Sequence, residues 1–217
     1  MKGIDVLYKV RFSEADRVRK DEIWKVLCED FFQKYINASD TVLDIASGYG
    51  EFSNHIRAKK KIAVDLNTDA EKCLQLGVEF HLTSASNMSE IQSGSVDVCF
   101  SSNFFEHLPN RDVMDSVLAE AMRVLKPGGL YIAMQPNIHY AANQYWDYYD
   151  HILPLSHLSC REAFEKAGYE VIDLIPRFIP FSTASRLPTH PLLVKLYLMC
   201  RPIWLIMGKQ FFIVTKK

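Results

Sequence analysis

Short apolar runs alternate with segments of helical periodicity along most of the chain. The helical segments carry apolar residues three or four positions apart, whereas the short runs are rich in β-branched and aromatic residues. This pattern predicts helices over residues 13–36, 52–58, 69–76, 111–125 and 159–167. It predicts seven strands, over residues 41–45, 61–64, 78–82, 95–101, 130–134, 169–175 and 211–215. Because strands and helices alternate, we expect an α/β fold with a mainly parallel sheet covered by helices on both faces.

The size of the chain predicts a single domain. It has 217 residues, of which 48% are hydrophobic, and it contains no internal repeat or Ser/Gly linker. We therefore expect one domain over residues 1–217, with residues 1–40 as a helical cover. The longest stretch without Asp, Glu, Lys or Arg, from Pro127 to Trp146, contains prolines, glycines and amide side chains. Such a stretch does not suit a bilayer, so no transmembrane span is expected.

Charge is divided unevenly along the chain. Residues 1–173 carry a net charge of −8, whereas residues 174–217 contain seven basic residues and no acidic one. An acidic body disfavours a phosphate-rich polymer, so we expect no nucleic-acid partner. The basic and apolar last fifth would suit an anionic ligand or surface.

The cysteines give no indication of a metal site or of a disulfide framework. The five cysteines are scattered and odd in number, and no pair has metal-site spacing. We therefore expect reduced thiols and no bound metal. The first residues lack an apolar core of signal-peptide length, so the expected localisation is cytoplasmic.

The candidate binding site begins where the first predicted strand ends. Asp44 lies at the end of that strand, and Gly48 and Gly50 follow in a turn that leads into a helix. Glycines allow a ligand to approach the backbone closely. A dinucleotide fingerprint would need a third glycine where the chain has Ser53, and it needs no carboxylate at position 44. Asp65 follows the second strand, where a carboxylate can accept both hydroxyls of a ribose.

This series resembles the class I S-adenosylmethionine-dependent methyltransferases. The matching segments are residues 44–50, Asp65, residues 96–100, residues 106–108 and residues 125–129, in the order of that family. The resemblance implies a Rossmann-like seven-stranded sheet with strand seven antiparallel. It also implies S-adenosylmethionine as the cofactor and S-adenosylhomocysteine as its product. One departure is Ala46, which stands where the family usually has glycine.

The family pattern assigns cofactor-binding roles to residues of this chain. Asp44 would contact the amino group of the methionine part, and Asp65 would hold the ribose hydroxyls. The other assigned positions line the methionine part, the adenine or the sulfonium: Ala46, Gly48, Gly50, Leu66, Ser86, Asn87, Ser102 and Asn103. Carboxylates and a polar lining suit a cation that loses its charge when the methyl group leaves.

The expected acceptor is a small molecule or a sugar or glycan precursor, methylated at oxygen. Residues 102–105 lack the prolines that often mark methylation of amines and bases. An alcohol must lose its proton, and His107 and His151 are the candidate catalytic residues.

Four residues are candidates for binding the acceptor. Tyr148 and His157 belong to an aromatic, acidic loop that suits sugar rings, and Arg186 could pair with a phosphate. Asn137 is the fourth candidate, because the segment around it resembles bacterial methyltransferases encoded with surface-polysaccharide genes.

Residues 180–210 form an insertion between strands six and seven. The family pairs these strands at the active-site edge, so we expect the insertion to cap the acceptor. A phosphorylated or lipid-linked acceptor, or peripheral contact with an anionic membrane, would suit it. A dimer interface is the alternative for this segment. Two alternatives to the enzyme also stay open: a non-catalytic S-adenosylmethionine-binding module and an NAD-dependent oxidoreductase.

Overall fold

The computed structural model describes residues 14–180 and 190–217. Within these ranges the helices are α1 (Glu14–Asp30), α2 (Glu51–His55), α3 (Arg111–Val124), α4 (Ile138–Tyr145), α5 (His157–Lys166), α6 (Pro191–Met199) and α7 (Arg201–Met207). The strands are β1 (Thr41–Ile45), β2 (Lys60–Asp65), β3 (Val78–Leu82), β4 (Val96–Ser102), β5 (Leu125–Pro136), β6 (Glu170–Ile175) and β7 (Gln210–Lys216).

One seven-stranded sheet organises the described residues. Its order is β3-β2-β1-β4-β5-β7-β6, and β7 runs antiparallel to both β5 and β6 whereas the other pairings are parallel. This confirms the expected Rossmann-like α/β fold with strand seven antiparallel. The strand order reverses between β1 and β4, and in such sheets a crevice opens beyond the carboxyl ends of these strands.

Two apolar cores cover the two faces of the sheet. One contains buried residues of α3 and α5, including Leu118 and Phe164. The other is aromatic, and in it Phe31 of the α1 side stacks on Phe178 with ring centroids 4.3 Å apart. Phe212 of β7 packs edge-on against the same Phe31 ring, at 5.0 Å. The helical cover is therefore joined to the sheet through aromatic contacts.

The predicted helix over residues 69–76 is wrong, because this segment forms only a 3₁₀ turn at Glu71–Cys73. Backbone groups of this segment form hydrogen bonds with a side chain instead of with one another. The Asn54 side chain donates to the Cys73 carbonyl oxygen at 2.9 Å and accepts from the Gln75 N–H at 2.8 Å. A residue on α2 thus satisfies groups that would otherwise join a helical ladder.

Two other differences concern the segments on either side of residues 130–134. β5 begins earlier than predicted, since Leu125 already pairs with Val96. The helix α4 was not predicted. It begins after Asn137, whose side chain caps it by accepting from the His139 N–H, so the loop after β5 is partly helical.

The insertion between β6 and β7 lies on the α1 side of the sheet. Lys195 of α6 pairs with Asp30 at 3.1 Å, and the Tyr197 hydroxyl donates to the Phe178 carbonyl oxygen at 2.6 Å. Residues 181–189 lie outside the described residues, and the predicted acceptor-binding Arg186 lies there too. No helix within the described ranges is long and apolar enough to cross a membrane.

Candidate active site

A cleft of about 550 Å³ opens beyond the carboxyl ends of β1, β2 and β4. Its volume lies within the range of small-molecule sites. Nine of the residues predicted from the sequence line it: Asp44, Ala46, Gly48, Asp65, Leu66, Ser86, Ser102, Asn103 and His107. Trp24 and Lys20 of α1 also line it, so the helical cover contributes to its wall.

The turn after β1 is built from left-handed backbone. Gly48 and Gly50 have φ values of 56° and 79°, and Ala46 has a φ of 58°. Gly50 does not line the cleft. A Cβ atom at that position would collide with the Leu74 side chain. Both this contact and the positive φ of residue 50 therefore favour glycine there. A left-handed φ costs little for glycine but is strained for alanine.

Asp44 is the buried carboxyl of the cleft. Its side chain is 4% exposed, and one of its oxygens accepts a hydrogen bond of 2.7 Å from the Ser53 hydroxyl. Burial raises the pKa of Asp44 to about 7, although the bond from Ser53 opposes this rise. A cationic ligand would favour the ionised carboxylate and so offset part of the cost of burying its charge.

Asp65 holds the glycine turn. Its Oδ2 accepts from the Gly48 N–H at 2.7 Å, and its Oδ1 accepts from the Asn67 N–H at 2.7 Å. Burial raises the pKa of Asp65, and the backbone bonds lower it. Each carboxylate oxygen keeps a second lone pair for a ligand in the cleft.

The end of β4 contributes Ser102 and Asn103. Asn103 has a φ of 48°, a left-handed conformation that is uncommon for residues other than glycine. Its N–H donates to the Met134 carbonyl oxygen, and its side chain donates to the Ser102 hydroxyl at 3.0 Å. Strained residues of this kind concentrate at functional sites.

Four other predicted residues do not line the cleft. Asn87 is exposed, and Asn137 is fully buried, with its amide against His157 Nδ1 at 2.9 Å and the Pro176 carbonyl oxygen at 2.8 Å. Tyr148 stacks on His151, with ring centroids 4.8 Å apart. The expectation that Asn137 and His157 contact the acceptor is not supported, because these side chains bond to each other and join the segments after β5 and β6.

His107 reaches the cleft with a partner that sequence reasoning missed. Asp150 also lines the cleft, and His107 Nδ1 lies 3.1 Å from its carbonyl oxygen and 3.3 Å from its Oδ2. These contacts raise the pKa of His107, against the lowering effect of burial. The second predicted catalytic histidine, His151, lies behind His107 with ring centroids 5.0 Å apart, and it does not line the cleft.

Comparisons with known proteins identify the domain. Residues 43–133 match a family model described as a methyltransferase domain. Two curated relatives, uncharacterized methyltransferases of Mycobacterium sp. strains KMS and MCS, are each 33% identical over 142 residues, covering 59% of this chain and 54% of the relative. The chain thus spans about half the length of the curated relatives it matches. Residues 43–133 are therefore similar to a methyltransferase domain.

Solved structures agree with this methyltransferase fold. A SAM-dependent methyltransferase from Thermotoga maritima has a TM-score of 0.69 at 17% identity, covering 97% of this chain and 98% of its own. Another from Archaeoglobus fulgidus has a TM-score of 0.64 at 19% identity, covering 91% and 94%. At these identities the likeness concerns the fold.

The described residues fit S-adenosylmethionine, the cofactor named for these two solved structures. The cleft combines a buried carboxyl, Asp44, with a second carboxylate, Asp65, beside the glycine turn after β1. Such a site suits a cationic ligand with ribose hydroxyls better than the pyrophosphate of NAD. Together with the family match, this disfavours the oxidoreductase alternative.

Ala46→Gly is expected to raise the free energy of unfolding of the methyltransferase domain by about 0.5–1 kcal/mol, because glycine removes the strain of a left-handed alanine. Chemical denaturation would measure this. Ala133→Gly, in the buried middle of β5, is the control and should destabilise. Equal destabilisation by both variants would show that the alanine at 46 carries no strain.

Proposed function

We propose that the protein transfers a methyl group from S-adenosylmethionine to an oxygen of a small molecule or of a sugar or glycan precursor. The observation that carries this proposal is the arrangement of the cleft. Asp44, Asp65, His107 and Asp150 all line it. A cofactor site and a candidate site for activating an acceptor thus share one cavity.

In this proposal, residues at the carboxyl ends of β1 and β2 bind the cofactor. Asp44 faces its cationic methionine part, Asp65 accepts the ribose hydroxyls, and the turn at Gly48 lies against the methionine part. Leu66, Ser86, Ser102 and Asn103 complete the lining. Asp65 also keeps the turn in place, because it already accepts the Gly48 N–H.

When bound, the cofactor supplies its methyl group: an acceptor oxygen forms the new C–O bond, the C–S bond breaks with its electron pair on sulfur, and the hydroxyl proton is lost. Most of the acceleration would come from positioning the acceptor. His107 lines the cleft, and its Nε2 would accept that proton while the Asp150 carbonyl oxygen accepts from its Nδ1–H. His151 would act through His107.

Within this proposal we favour a phosphorylated or lipid-linked acceptor, because such an acceptor would complement the charge and the apolar surface of residues 174–217. That segment has no acidic residue. Its helices α6 and α7 expose apolar side chains, including Leu196 at 52% and Ile206 at 76% of their surface. Such a surface also suits peripheral membrane contact or a dimer.

The test pairs acceptors that differ only in the accepting atom. The protein is incubated with S-adenosylmethionine and with matched alcohols and amines, including free and phosphorylated sugars, and products are followed by mass spectrometry and by release of S-adenosylhomocysteine. We expect methylated alcohols. Methylation of the amines alone would refute the oxygen acceptor. Tight binding of S-adenosylhomocysteine without turnover of any acceptor would favour the non-catalytic alternative.

A further inference from the structure

Glu106, His107 and His151 bring three potential metal ligands together beside the cleft. One carboxylate oxygen and two imidazole nitrogens lie within 4.8 Å of one another. Glu106 and His107 belong to the 3₁₀ turn Phe105–His107 after β4, and His151 comes from the loop after α4. The two segments are tied by the backbone, since the Ile152 and Leu153 N–H groups both donate to the Glu106 carbonyl oxygen, at 2.7 and 3.1 Å.

The Glu106 carboxyl points to a ligand. Glu106 is only 3% exposed, and its Oε2 has no hydrogen-bond partner within the described ranges 14–180 and 190–217. A buried carboxylate oxygen without a partner is costly. A cation between this carboxylate and the two imidazoles would remove the cost.

His107 is arranged as a metal-binding histidine usually is. Its Nδ1 lies 3.1 Å from the Asp150 carbonyl oxygen, so an Nδ1–H donating there leaves Nε2 with its lone pair. Metal-ligating histidines almost always donate their other N–H to a carboxylate or a backbone carbonyl. Asp150 offers both, with its Oδ2 3.3 Å from the same nitrogen.

We propose that Glu106, His107 and His151 bind one divalent transition-metal cation beside the methyl-transfer cleft. Two imidazoles and a carboxylate suit the first-row cations from Mn²⁺ to Zn²⁺, whereas Mg²⁺ and Ca²⁺ prefer oxygen ligands. Three protein ligands leave a coordination position open, as in catalytic metal sites. The sequence pattern indicated no metal, because it concerned cysteine spacing and these ligands lie on separate segments.

The role of the cation rests on the proposed function. Because His107 lines the cleft and would hold the cation, the cation would lie at the wall of the cleft. A hydroxyl oxygen bound there would lose its proton to water more readily, since a cation lowers the pKa of a coordinated hydroxyl group. With the cation bound, His107 would hold the metal, and the proton would pass to water instead of to His107.

The experiment measures metal binding directly. Protein freed of metal with a chelator is titrated with Co²⁺, Zn²⁺ and Mn²⁺, following visible absorption for Co²⁺ and equilibrium dialysis for all three. We expect one equivalent per chain. His107→Ala and His151→Ala should each weaken binding by about 10-fold or more, and Asp150→Asn by about 10-fold. Glu106→Gln is the isosteric variant that removes the carboxylate charge and should also lose the cation.

Two controls keep the outcome decisive. His81→Ala removes a surface histidine that contacts Glu79 and Glu90, and it should leave the stoichiometry at one. S-adenosylhomocysteine binding verifies that each variant is folded. Absence of saturable binding to the unaltered protein, or loss of binding in the His81 variant alone, would overturn the proposal. Metal binding without any methyl transfer to alcohols would refute the proposed function and leave the metal site standing.

Discussion

Asp65→Ala is expected to weaken the binding of S-adenosylhomocysteine by roughly 100-fold or more. Two hydrogen bonds from ribose hydroxyls to a carboxylate are together worth about 3 kcal/mol or more, and each 1.4 kcal/mol is about a tenfold change in affinity. The loss should be aggravated because the same carboxylate accepts the Gly48 N–H. Titration calorimetry of the purified chain measures the affinity.

The matched control is Asp97→Ala. Asp97 lies near the start of β4, at the end of the strand away from the cleft, and it also accepts a backbone N–H, from Thr41 at 2.8 Å. Its loss should lower stability and leave cofactor affinity within about threefold of the unaltered protein. A folded Asp65→Ala variant that binds S-adenosylhomocysteine as tightly as the Asp97 variant would contradict the assignment of Asp65.

The residues proposed to bind the cofactor could be grouped from the sequence because their signals are local. Asp44, Gly48 and Asp65 follow directly on strands, and parallel strands bring such positions to one edge of a sheet. The structure places all three on the cleft wall. The turn itself was also indicated by its glycines, whereas its left-handed backbone and the strain at Ala46 required the structure.

The acceptor half could not be predicted to the same extent, because its contacts join distant segments. Asp150 contacts His107 across 43 positions, and no periodicity indicates such a pair. Asn137 and His157 looked equally suitable for an acceptor, yet they bond to each other away from the cleft. The helix predicted over residues 69–76 failed for a similar reason, since Asn54 supplies its peptide groups with partners.

Asp44→Asn is expected to stabilise the protein without cofactor at alkaline pH while it weakens cofactor binding. The pKa of Asp44 is raised from its ordinary value of 3.8 to about 7 by burial. A raised pKa in the folded state means that ionisation opposes folding, so stability falls as pH rises from about 4 to about 7. One pKa unit corresponds to about 1.4 kcal/mol, so this single group could cost up to roughly 4 kcal/mol.

The asparagine carries no charge, so the variant should not lose stability through this group as the pH rises. Its free energy of unfolding should exceed that of the unaltered protein by about 1–3 kcal/mol near pH 8, and the difference should vanish near pH 4. Chemical denaturation at both pH values measures this. Equal stability of the two proteins at both pH values would show that the pKa of Asp44 is not raised in the folded protein.

Cofactor binding should depend on pH in the opposite sense. Ionised Asp44 attracts the cationic methionine part, so the affinity of the unaltered protein for S-adenosylmethionine should rise as pH passes through about 7. In Asp44→Asn the affinity should be at least about tenfold lower and should not change with pH over this range.

Ser53→Ala tests whether Asp44 is the group that controls this pH dependence. It removes the hydrogen bond that favours the charged carboxylate, so it should move the rise in affinity to higher pH. An unshifted rise in that variant would mean that another group controls cofactor binding.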